Sequence, residues 1–157
     1  MMDDTDEIKE SAKNHSKILA KIGTELSEIQ FNFKVLDKTS ADYWQKRIEH
    51  FKKYHKKGME YYAEAHLLMS LVEKENAGLF LLSMSKLRQL GAKLIEILEK
   101  VKENPTIMSS KDKQQSRWSK ELKEELIQYS NKNIQLEKEM NVKFREFYDK
   151  HLKKLLE

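Results

Sequence analysis

The stretch Ile8 to Leu36, IKESAKNHSKILAKIGTELSEIQFNFKVL, decides the fold class. Its seam positions follow steps of four then three: Ile8, Ala12, His15, Leu19, Ile22, Leu26, Ile29, Phe33 and Leu36. That spacing writes a heptad stripe along one side of a helix. A stripe so narrow cannot be covered by its own helix, so it must lie along another helix at a shallow crossing angle. The helix-packing seam is therefore expected at Ile8, Leu19, Ile22, Leu26, Ile29 and Phe33, on a first helix over about 4–36. It opens at Asp4-Thr5-Asp6-Glu7, a capping-box pattern whose acids suit the positive end of the helix dipole.

The remaining chain supplies partners for that stripe. Asp37-Lys38-Thr39-Ser40 reads as a short turn with Ser40 as N-cap, and so short a connection makes its two helices antiparallel neighbours. A second helix is expected over 41–75, with a broader seam from Trp44, Ile48 and Phe51 through His55, Gly58 and Tyr62 to Met69 and Val72. Its Met and aromatic side chains are read as core packing. Asn76-Ala77-Gly78 is read as a break with Gly78 as C-cap, opening a third helix over 79–104; the alternative is one continuous helix across both stretches. Asn104-Pro105 ends it, because the residue before proline avoids the α region. Residues 105–115 then read as an exposed polar linker within a single helical domain spanning 1–157.

A last helix is expected over 116–156. Its seam includes Leu122, Leu126, Tyr129, Asn133, Leu136 and Met140, and continues to Phe144, Phe147 and His151. An extra step of four before Phe144 is a stutter that unwinds a left-handed supercoil locally. A seam Asn fixes register between helices, so Leu122 to Met140 is read as the seam for a partner helix. The fold class is all-α: an antiparallel, coiled-coil-like bundle of three or four long helices, the first folding on the second and the last on the third.

Composition narrows the function classes. One proline and four glycines in 157 residues, with 36% charged residues, match long helices. Cysteine is absent, which excludes disulfides and thiolate chemistry. The acidic start, Met1-Met2-Asp3-Asp4, lacks the pattern of an export signal, and no apolar run approaches the roughly 20 residues a bilayer span needs. A soluble, intracellular, cytoplasmic protein is expected.

Catalytic motifs are missing. There is no glycine-rich phosphate loop, no dinucleotide fingerprint and no Gly-x-Ser-x-Gly elbow. The residues three before His15, His50, His55, His66 and His151 are Ala12, Arg47, Lys52, Ala63 and Tyr148, so no Glu-x-x-His metal pair exists. No enzyme activity, cofactor, metal or small-molecule substrate is read. The feature that stands out is a basic patch of Lys46, Arg47, Lys52, Lys53, Lys56 and Lys57, interleaved with Trp44, Phe51 and Tyr54. It exceeds the chain's net charge of +4 by itself. Two readings follow. One is a non-enzymatic structural or adaptor protein that binds helices, its own or those of other subunits in a complex. The other is a peripheral binder of anionic membrane or nucleic acid through the 46–57 face.

Overall fold

The computed structural model describes residues 4–29, 37–108 and 116–157, and among these it is all helical. α1 spans Asp4–Ser27, α2 Ala41–Val72, α3 Lys74–Glu103 and α4 Arg117–Phe147. A π-helical turn, Tyr148–Leu152, joins α4 to a final turn α5, Lys153–Leu156. The long helices run alternately up and down. α1 packs along α2, α2 along α3 and α3 along α4, while α5 returns beside α1, where Lys9 Nζ meets the Glu157 carbonyl at 2.9 Å.

α1 is shorter than its seam. It stops at Ser27, and Ile29 lies outside the helix; Phe33 and Leu36 lie outside the described residues. The cause is local. Thr24 Oγ1 and Ser27 Oγ donate to the carbonyls of Ala20 and Thr24, drawing on acceptors the helix would use. The last turn holds no basic residue, and Glu25 and Glu28 oppose the negative end of the dipole. A tightened Ile29 N–H to Leu26 carbonyl bond of 3.2 Å closes the element.

The reversal between α2 and α3 also differs from the expectation. It falls at Glu73 rather than at 76–78, and one residue suffices. Glu73 adopts φ −140° and ψ 85°, a conformation with negative φ, so no glycine is needed. Its N–H caps α2 through Met69 O at 2.7 Å, and its carbonyl accepts from Ala77 N at 3.2 Å to start α3. Gly78 and Leu79 are interior helical residues. A single helix across 41–104 is excluded, because α2 and α3 lie side by side: Tyr62 meets Phe80 edge-on with ring centroids 6.0 Å apart.

At the other end, Ser40 caps α2 by accepting from Asp42 N, and Trp44 Nε1 donates to Lys38 O at 2.7 Å. Pro105–Met108 forms a 3-10 turn, not exposed linker, and Ile107 is buried in the core beside Val101 and Leu122. Residues 109–115 of the expected linker lie outside the described residues. Ser116 caps α4 through Ser119 N at 3.2 Å.

The core has two halves. Near the Glu73 reversal, Leu19, Leu68, Phe80, Leu87, Met140 and Leu152 belong to one apolar cluster; at the far end Trp44, Ile48, Ile97, Val101 and Leu122 form another. Phe80, Ile97 and Met140 are fully enclosed, and truncating a buried phenylalanine of this kind costs about 3–5 kcal/mol. The π turn resets the register of the last seam. It spaces Phe147 and Leu152 five apart, and Leu152 is buried where the four-step pattern expected His151.

Candidate functional site

Of the first seam, Leu19 is buried, Ile8, Ile22, Leu26 and Ile29 are half-buried, and Phe33 lies outside the described residues. The partner seam faces inward: Leu122, Asn133 and Met140 are buried within the chain, with Leu126, Tyr129 and Leu136 packed at their edges. Its partner helices are the chain's own, which leaves the outer surfaces for anything else.

Between the two halves of the core lies a polar layer. Tyr54 OH donates to Glu137 Oε2 at 3.2 Å, and the Asn133 side chain bonds the same carboxyl. Burial pushes Glu137 up from the usual carboxylate value, against the pull of these two hydrogen bonds. Burial, with the carboxyl beside it, pushes the Tyr54 phenol up to about 12. Tyr62 OH donates to Asn141 Oδ1 at 3.0 Å, and burial pushes its phenol up as well. Asn133 Oδ1 is buried without a hydrogen-bond donor. Across the layer the His55 ring occupies the space beside Gly91, stacked on Phe51 with centroids 5.5 Å apart. Burial first, then Arg88, lowers its pKa, so the ring is neutral at pH 7.

The basic patch divides in two. Lys46 pairs with Asp42 at 3.6 Å, while Lys57 pairs with Glu25 at 2.7 Å and Glu60 at 3.0 Å, tying α1 to α2. Arg47 is half-buried. Lys52, Lys53 and Lys56 are exposed, and among the described residues no acid pairs with them. Trp44 is buried and Phe51 half-buried, so neither ring is presented with those lysines.

One concavity has no counterpart in the heptad pattern. It is a groove of about 740 Å³ between α3 and α4, where Leu90, Tyr129 and Leu136 are flanked by Lys86, Lys93 and Lys132, with Glu139 at one edge and Lys93 also 3.7 Å from Glu96. Lys93 and Lys132 stand over the Tyr129 ring at 5.9 and 4.9 Å from its centroid, cation–π contacts that hold the ammonium groups at the groove. The lysines recur at intervals visible in the sequence, but only the packing of α3 on α4 brings them to one place. Outside the core, Leu79, Leu81, Leu82, Ile127 and Ile134 are at least half exposed.

Among the described residues no three His, Asp or Glu side chains gather to hold a metal, and no helix is long and apolar enough to cross a membrane. No protein-family model, curated protein or solved structure matches this chain significantly.

Proposed function

We propose that the protein is a non-enzymatic helical structural or adaptor protein that works by accepting a further helix, from a second copy or from another subunit of a complex. The α3–α4 groove carries this reading. An amphipathic helix with an apolar stripe fits Leu90, Tyr129 and Leu136, and acidic flanks on that helix match Lys86 and Lys132. A cytoplasmic complex is the setting proposed.

A photo-crosslinking residue at Gln135, followed by mass spectrometry, tests the reading. Crosslinks to one defined helix, in a second copy or in a named subunit, are expected, and Leu90→Glu with Leu136→Glu should abolish them. A strictly monomeric chain that crosslinks nothing from its own cells would refute the assignment. The unpaired Lys52, Lys53 and Lys56 favour a second reading, a peripheral contact with anionic membrane or nucleic acid. Charge reversal at these three would then abolish salt-sensitive sedimentation with anionic vesicles, or retention on DNA. No binding by the wild type at low salt removes that reading.

A further inference from the structure

α1 and α4 do not close on each other. On α1, Ser16, Ala20 and Gly23 are small, and across from them stand Phe144, Tyr148 and Leu152. The space left is a crevice made of two hollows, about 480 and 340 Å³, that share Gly23, Tyr61, Phe144 and Tyr148. Each falls within the size range of small-molecule sites, about 300–1,000 Å³. The π turn lies along this crevice and places both Tyr148 and Leu152 on it. Such turns inside α-helices recur at functional sites.

The two hollows differ in chemistry. The one toward α5 is lined by Leu19, Ala20, Phe144, Leu152 and Leu156, with hydroxyls only from Ser16 and the tyrosines. The one toward the polar layer is lined by Tyr54, Tyr62, Asn141 and Arg145. There Tyr62 OH donates to Asn141 Oδ1, which leaves the amide NH2 of Asn141 as a donor with no protein partner among the described residues. Arg145 follows one helical turn later, exposed and with no acid paired to it among the described residues. An apolar trough thus ends at an amide donor and a guanidinium on one face of α4. Behind the hollow, Tyr54 OH is turned to Glu137 Oε2 at 3.2 Å, so that carboxyl is engaged by the polar layer rather than lining the trough.

We infer that this crevice binds a single-chain amphiphile with an anionic head, the head at Asn141 and Arg145 and the tail along Leu19, Leu152 and Leu156. Charge decides the head. The aromatic walls alone would also suit a quaternary ammonium group, but the guanidinium at the same end repels a cation. The site opens between α1 and α4, away from the α3–α4 groove, and does not depend on the docking reading.

Isothermal titration of the full chain, with every probe kept below its micelle concentration, tests the inference. Dodecanoate is expected to bind saturably at one per chain, with dodecyl phosphate as the arm that separates a carboxylate from a phosphate head. Butanoate, which lacks the tail, and dodecyltrimethylammonium, which reverses the charge, should not bind. Arg145→Ala should weaken dodecanoate about tenfold, the usual effect of losing one hydrogen bond to a charged group. Ala20→Trp should fill the trough and abolish binding; because Arg145 is on the surface, R145A stays informative if the tryptophan variant does not fold. Absence of saturable dodecanoate binding, equal affinity for the ammonium probe, or full affinity in R145A would overturn the proposal.

Discussion

Gly91 lacks a side chain in a place where none fits. A Cβ built on it would fall inside the imidazole of His55, which packs against the α3 backbone in the middle of the bundle. The glycine is required by this close approach, not by its backbone angles, since no described glycine has a positive φ. Gly91→Ala should therefore destabilise the protein by about 1–3 kcal/mol, the usual cost of overpacking a core, despite the better helix propensity of alanine. Urea titration of G91A, H55A and the double variant would show it. The double variant should be less damaged than the two singles summed, because the methyl then occupies the space the ring leaves. Strict additivity would mean that ring and backbone do not compete. In the sequence His55 was legible only as a seam residue. Its partner lies 36 positions away on another helix, and no local pattern encodes that meeting.

At the scale of elements, periodicity placed the four long helices and their order of contact, because heptad stripes are properties of single helices. Their ends were harder to read. The sequence offers Gly78, the nearest residue known to break helices, as the α2–α3 break. The chain instead turns at Glu73, in backbone of negative φ, because Leu68 and Met69 bury against Ala77 and Phe80. Glu73 is then held from outside: Asn76 donates to its carboxylate, and His151 Nε2, from the π turn, lies 3.0 Å from it without a hydrogen bond. These two geometries make opposite predictions for Gly78→Ala. In a left-handed C-cap, alanine would be destabilising. Inside α3, with nothing within 4 Å of a Cβ, it should stabilise by about 0.5–1 kcal/mol. Thermal melts of G78A decide the matter, and a lowered melting temperature would return the break to Gly78. The α1–α4 crevice was illegible for a related reason. A heptad seam marks large residues, whereas the crevice is made by Ser16, Ala20 and Gly23, which leave space rather than fill it.

Across the whole molecule, two apolar halves meet at a layer where burial shifts Glu137 and His55 toward their neutral forms, and those shifts set how stability depends on pH. Glu137 has its pKa raised by burial above the usual carboxylate value of 4.5. The folded state therefore binds the proton more tightly than the unfolded chain does. Its contribution is complete below that value and is lost as pH rises through the folded pKa. His55 and His50 are shifted the other way, both lowered chiefly by burial from an ordinary 6.5. Their contribution is complete above 6.5 and is lost as pH falls through their folded pKa values. The two effects oppose each other across weakly acidic pH, so the wild-type profile should be flatter there than either group alone would make it. Substitution separates them. Glu137→Gln keeps the shape and an acceptor for Tyr54 but cannot ionise, so it should be more stable than wild type at pH 8, with the gain shrinking toward pH 4. His55→Gln should show the reverse trend, gaining on wild type as pH falls below 6.5. Urea midpoints measured from pH 4 to pH 8 read both slopes. An E137Q variant that is less stable than wild type at pH 8 would show that the fold favours the carboxylate after all. The polar layer would then be held by charge, not by neutral hydrogen bonds.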